Sequence, residues 1–173
     1  MITVNQTTKD LISLTGQALQ SQGMNWQVIQ AYQQTMGRFQ PPFVLVHRLL
    51  TTNYGFQFDE DIEDSHTENQ IEIQRFQIEA YYKRTPNDTE NTITGADVVR
   101  MIARWFMSET GIQALRTKGY NIKRIPEVVE EYYKQVNEIF QVNPHFTMDI
   151  VAKQTDTTKA EKISGFADTI KKI

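Results

Sequence analysis

The stretch from Pro41 to Arg84 most constrains the fold, because it holds two long β-patterned segments joined by an acidic region. The outgoing arm begins at Phe43 and passes Phe58, and the returning arm runs from Ile71 to Tyr82. Strands usually have about 5 to 6 residues, so two arms of roughly a dozen each predict a hairpin that projects beyond its own domain. Another chain normally covers such a ribbon, which favours a component of an assembly.

The region between the two arms is acidic and contains no Lys or Arg from Asp59 to Asn69. One interpretation is that this loop pairs with the mildly basic body of a neighbouring copy, where complementary charge sets the register of the contact. The other is a solvated hairpin tip whose charges prevent edge-to-edge aggregation. The candidate subunit or partner interface comprises Asp59, Glu60, Asp61, Glu63, Asp64, Ile71 and Ile73.

In the returning arm, the apolar residues switch from odd-numbered to even-numbered positions, which is a change in the phase of their alternation. Ile71 and Ile73 share one parity, whereas Phe76 and Ile78 share the other. Because side chains alternate along a strand with a period of two, the change requires either a β-bulge or two different covering surfaces. In the second case the residues after Phe76 pack on the chain's own core, and Ile71 and Ile73 face a neighbouring subunit.

The whole chain is predicted to adopt an α+β fold. A mostly antiparallel sheet with the long projecting β-hairpin is packed by two main helices, and residues 1–154 form a single domain. Pro41-Pro42 places the start of a strand at Phe43. The other predicted elements are a helix from Thr7 or Thr8 to Gly23, a strand over 26–32 buried at least partly on both sides, a helix from Thr94 that breaks or bends at Gly111, a short strand over 120–124, a short helix over 127–140 and a strand over 146–153.

Residues 155–173 form a polar C-terminal tail with an apolar stripe at Ile163, Phe166, Ile170 and Ile173. These intervals place the four side chains on one helix face. Because a short helix is marginal alone in water, this candidate docking tail requires a surface. That surface is its own domain or a partner chain, and a disordered tail is the third alternative.

The search for chemistry predicts no enzyme and no cofactor. His47, His66 and His145 lack the spacing of a metal site, and the acidic region lacks the glycine and distal glutamate of a calcium loop. Cysteine is absent, no apolar run is long enough to span a membrane, and the N-terminus lacks a secretory pattern. We therefore expect a soluble, unexported protein. A candidate basic surface for nucleic acid comprises Arg100, Arg104, Lys123 and Arg124, although the sequence pI of about 5.6 is unfavourable.

The order of elements, together with the segments over 41–46, 74–81 and 146–151, resembles the neck or tail terminator proteins of contractile and long-tailed phages. The resemblance covers residues 7–154 and consists of hydrophobic patterns. It implies a homohexameric ring that stops tail-tube polymerisation and joins the tail to the connector. The implied partners are the tail tube, sheath and neck proteins, with DNA passing through the lumen, and the implied location is the virion after assembly in the host cytoplasm. The alternatives are another phage adaptor, of the head-completion or baseplate type, and a small nucleic-acid-binding module.

Overall fold

A computed structural model describes residues 4–31, 39–62, 65–83, 85–123, 125, 127–129, 132–134 and 140–159. It confirms the α+β class, with three helices in the described part of the chain rather than two. The elements in chain order are α1 (Val4–Gln20), β1 (Gln27–Gln30), β2 (Phe43–Ile62), β3 (Ser65–Tyr81), α2 (Gly95–Met107), α3 (Glu109–Thr117), β4 (Tyr120–Ile122), β5 (Tyr132–Lys134), β6 (Phe140–Val142) and β7 (His145–Lys159).

The main sheet has five strands in the order β1-β2-β3-β7-β4. The β1–β2 pair is parallel, and the other three pairs are antiparallel. Strand β2 begins at Phe43, as the Pro-Pro pair predicts. The central β3 pairs with β2 on one side and with β7 on the other, so the hairpin forms the middle of the sheet.

The acidic region is strand rather than the predicted loop. Asp59 pairs with Glu68 and Ile62 pairs with Ser65, which leaves only residues 63 and 64 between the two arms. Acidic residues are depleted in strands, but a main-chain ladder continued on both sides of β3 outweighs that weak preference. That the hairpin projects beyond the domain stays a prediction.

Strand β7 is also longer than predicted, because it continues past Lys153 to Lys159. Its last residue pairs with Ser65, so β7 follows β3 along the whole arm. Two of the added residues, Thr157 and Thr158, are β-branched and suit a strand.

The three helices lie on one face of the sheet, which we call the helix-covered face. Val46 of β2, Ile78 of β3 and Met148 of β7 point into the core there, between the sheet and the helices. The largest fully buried side chains are Tyr120, Phe76, Phe106, Phe146, Leu11, Leu14, Leu19, Leu45, Ile78, Ile102, Leu115 and Met148.

Helix α1 begins earlier than predicted. Thr7 and Thr8 are buried inside the helix and do not cap it. The prediction of Gly23 at the left-handed C-terminal position is confirmed, with a φ of 70°. The Gly23 amide donates to the Gln20 carbonyl and the Met24 amide donates to the Leu19 carbonyl, which is the hydrogen-bond pattern of a Schellman motif.

The second helical segment begins at the predicted position. Thr94 and Asp97 form a capping box, in which each side chain accepts a hydrogen bond from the other residue's backbone amide. The break falls at Ser108, whose hydroxyl accepts from the Gly111 amide and thereby caps α3. Gly111 is needed for another reason: a Cβ there would run into the backbone carbonyl of Trp105.

The prediction of a short helix over 127–140 is wrong for the described residues in this range. Tyr132–Lys134 is a strand that pairs with Phe140–Val142, and Val129 forms a bridge with His145. The four-residue spacing of Val128 and Tyr132 fits both periods, and the aromatic and β-branched side chains favour the strand.

A buried carboxylate connects α1 to the far edge of the sheet. Asp10 accepts hydrogen bonds from Lys118 Nζ at 2.7 Å and from Tyr120 Oη at 2.9 Å. Desolvation opposes the charge of Asp10, but the hydrogen bonds from Lys118, Tyr120 and Gln6 outweigh it and lower the pKa of Asp10 below its usual 3.8. Burial beside this carboxylate raises the pKa of Tyr120 to about 12.

Candidate functional site

The face of the sheet that the helices do not cover, which we call the open face, carries a group of exposed apolar side chains. Tyr54 is 63% exposed, Leu50 is 44% exposed and Ile71 is 36% exposed, and Ile73 and Val151 are half-buried beside them. We call these five residues the apolar strip.

The strand registers place the five side chains together. Tyr54 pairs with Ile71, and Ile73 pairs with Val151, so these residues share one face of neighbouring strands. Leu50 pairs with Arg75, which lies on the same face as Ile73. The strip therefore crosses β2, β3 and β7.

The phase change in the returning arm has a structural origin. The register of β3 with β7 is unbroken from Ser65 to Glu79, so β3 itself has no bulge over that length. Strand β2, in contrast, has two irregularities in its pairing with β3: Leu49 is left unpaired between Arg48 and Leu50, and the register shifts again between Tyr54 and Phe58. Ile71 and Ile73 thus lie on the open face, whereas Phe76 and Ile78 are buried under the helices.

An ion pair lies next to the strip. The Arg75 guanidinium donates from Nε to Asp149 Oδ1 at 2.7 Å and from Nη2 to Oδ2 at 3.0 Å. This two-pronged contact, more than the nearby Lys123, holds the pKa of Asp149 below its usual range. The pair joins β3 to β7 and leaves Arg75 largely at the surface.

The candidate basic residues are distributed over both faces. Arg100 and Arg104 are exposed on α2, on the helix-covered side, and Arg100 Nη1 lies 3.9 Å from Asp97 Oδ1. Lys123 lies on the open face, with Nζ 6.0 Å from the ring centroid of Tyr54. Arg124 lies outside the described residues. The structure thus brings Arg100 and Arg104 together and places Lys123 elsewhere.

Arg104 also borders a shallow pocket of about 300 Å³ at the junction of α2 and α3. Gln22, Met101, Trp105 and Ser108 complete its lining.

The part of the open face near β1 is closed. Ile29, Phe43 and Leu45 are buried there, and Phe43 stacks on Tyr81 with ring centroids 4.9 Å apart. Val28, which is half-buried, packs on the opposite side against the main core, and this confirms that the strand is buried at least partly on both faces. The strand is shorter than the predicted 26–32 segment.

A polar pair lies between this closed part and the apolar strip. His47 Nε2 is 3.2 Å from Glu79 Oε2, and both side chains are mostly buried.

Asp59, Glu60 and Asp61 lie on β2, whereas Glu63 and Asp64 lie outside the described residues. The tail residues Ile163, Phe166, Ile170 and Ile173 also lie outside them. Within the described residues, no three His, Asp or Glu side chains are grouped so that they could hold a metal ion. None of the helices in the described ranges is long and apolar enough to cross a membrane.

Sequence reasoning found Ile71 and Ile73 but missed Leu50, Tyr54 and Val151 as their neighbours. A signal was available for Val151, because its parity is opposite to that of Phe146, Met148 and Ile150. The grouping also depends on strand register, which the sequence pattern does not supply.

Comparison with known proteins gives one finding. No curated protein matches the chain. A family model described as E217 gateway protein gp29 matches residues 9–161, which is all of the chain except its two ends. The chain therefore belongs to the E217 gateway protein gp29 family and is a phage structural protein of the neck region.

Proposed function

We propose that this chain is the subunit of a ring at the head-proximal end of the phage tail, where the ring stops tail-tube polymerisation and joins the tail to the connector. The ring is a homohexamer. Its other partners are the tail tube, the sheath and the neck proteins, and DNA passes through its lumen. The role is structural and requires no catalysis.

The observation that carries this proposal is the apolar strip on the open face. A match to a neck-region family indicates an assembled protein, and an assembled protein must bury apolar surface against its neighbours. Tyr54, Leu50 and Ile71 provide such surface on three paired strands. The strip lies away from the helix layer, so another copy can cover it without disturbing the core.

The first experiment is native mass spectrometry over a concentration series, with negative-stain imaging of the large species. A six-membered ring is the expected result. A chain that stays monomeric at every concentration contradicts a ring formed by this chain alone.

A double substitution tests whether the strip is the contact between subunits. Ile71→Asp with Ile73→Asp should abolish assembly and leave the monomer folded, because both side chains lie outside the helix-covered core. The matched control is Asn53→Asp with Gln70→Asp, which adds the same charge to β2 and β3 on the opposite face. Unchanged assembly in the first variant rejects the strip as the interface.

The exposed pair Arg100 and Arg104 supports a second candidate, which is nucleic-acid binding along α2. Phosphate contacts of this kind give an affinity that falls steeply with salt. Arg100→Glu with Arg104→Glu should then abolish a salt-sensitive affinity for DNA, measured by fluorescence anisotropy. If the unmodified chain shows no such affinity, this candidate is rejected.

A further inference from the structure

We propose that the C-terminal segment, residues 160–173, docks on the open face of a neighbouring copy. Its apolar stripe of Ile163, Phe166, Ile170 and Ile173 would contact the neighbour's apolar strip on β2, β3 and β7. The inference rests on the proposed function for the presence of that neighbour. It goes beyond the family match, which ends at residue 161.

The strip and the stripe are similar in length. Along β7, the strip extends from the level of Asp149, beside Leu50 and Arg75, to the level of Lys153, beside Ile71. Four strand steps of about 3.3 Å span ~13 Å. A helix from Ile163 to Ile173 rises about 15 Å. One such helix therefore covers the strip from end to end.

The chemistry of the two surfaces is also complementary. The stripe presents only Ile and Phe, and the strip presents Leu, Ile, Val and the face of a Tyr ring. Removing branched aliphatic side chains from water favours such a contact. Tyr54, Leu50 and Ile71 are exposed on the strip, so a docked stripe would remove apolar area from water there.

The position of Lys159 decides in favour of the neighbouring copy rather than the same chain. Strand β7 ends eight residues beyond Val151, which is about 26 Å at the strand rise. If residues 160–162 make the reversal, a helix of ~15 Å lying back along its own strand ends about 11 Å short of Val151. On an adjacent copy, the distance between this helix and the strip is not set by the length of the helix's own β7.

The test is disulfide cross-linking, for which the chain is suitable because it contains no cysteine. Full-length Ile73→Cys and full-length Ile170→Cys, one of them carrying a mass tag, are co-expressed and oxidised. The expected product is a disulfide between the two different chains, which forms only when docking brings the two Cα atoms to roughly 4.4–6.8 Å from each other.

Matched controls change one partner at a time. Glu72→Cys lies beside Ile73 on β3 but faces the opposite side of the sheet. Asp168→Cys lies near Ile170 but off the predicted stripe. Each control pair should give only background cross-linking, and comparable cross-linking in both controls overturns the inference.

The oligomeric state and the disulfide between chains are measured on the same samples. A failure of the docking inference can then be distinguished from a failure of the proposed ring. A ring without the heterodisulfide overturns the docking inference and leaves the proposed function in place. A disulfide formed only within single chains of the Ile73→Cys, Ile170→Cys double variant also overturns it. Persistent monomers without the heterodisulfide overturn both the inference and a ring formed by this chain alone.

Discussion

The two faces of the central strand β3 differ in burial although their residues alternate along one segment. Phe76, Ile78 and Ala80 are fully buried under the helices, whereas Ile71 is 36% exposed on the other side of the sheet. A lone exposed apolar residue needs no explanation, but a group of them on paired strands is typical of a surface that binds a partner. The helix-covered face therefore contributes to stability, and under the proposed function the open face is the one that we expect to serve assembly.

The largest expected effect is the difference in stability between the same Ile→Ala substitution on the two faces of β3. Ile78→Ala should cost about 2–5 kcal/mol of unfolding free energy, because it leaves a cavity in a packed core. Ile71→Ala should cost about 1 kcal/mol or less, because its side chain is already partly in water. Urea unfolding of both variants measures the difference. Equal losses would show that the open face is part of the folding core.

The second comparison concerns Asp10, on the helix-covered side. Asp10→Asn should lower the unfolding free energy by about 1.5–3 kcal/mol at neutral pH, because it weakens hydrogen bonds from Lys118 and Tyr120 to a charged acceptor. The variant keeps the shape of the side chain, so loss of packing is not the cause.

The same substitution has a defined pH dependence. The folded-state pKa of Asp10 is lowered, so its stabilisation is complete above the unfolded-state value near 3.9 and is lost as the pH falls through the folded-state pKa. The difference between the parent chain and Asp10→Asn should therefore shrink below about pH 4. A difference that is constant from pH 7 to pH 3 would show that the charge of Asp10 does not stabilise the fold.

Local signals in the sequence were sufficient for much of this architecture. Pro42 determined the start of β2, Gly23 marked the end of the first helix, and the parity of Ile71 against Phe76 indicated two surfaces. Each of these depends on the conformation of a few adjacent residues.

Non-local pairing explains what the sequence did not predict. The acidic residues of β2 read as a loop because their local preference opposes a strand, and only the partners on β3 and β7 reverse it. The same holds for the strip, since Leu50, Tyr54 and Val151 are neighbours of Ile71 and Ile73 only through register. The bulge at Leu49 moves Leu50 to the open face, and no turn residue in the sequence marks it.

The smallest expected effect sharpens the comparison at the edge of the strip. Arg75→Lys removes the two-pronged contact with Asp149, because an ammonium group cannot reproduce the guanidinium fork. The pKa of Asp149, followed by NMR titration, should rise toward its ordinary value, since Arg75 is the main cause of its depression. Asp149 then loses part of a stabilisation that is present above the unfolded-state pKa and disappears as the pH falls.

Arg100→Lys is the matched control on the helix-covered side. Arg100 lies 3.9 Å from Asp97, whose lowered pKa comes mainly from the Thr94 backbone and only slightly from Arg100. This substitution should leave the pKa of Asp97 almost unchanged. If Asp149 and Asp97 respond equally, the fork of Arg75 has no special role. If only Asp149 responds, a directed ion pair joins β3 to β7 at the edge of the strip and fixes the surface that a neighbouring copy would meet.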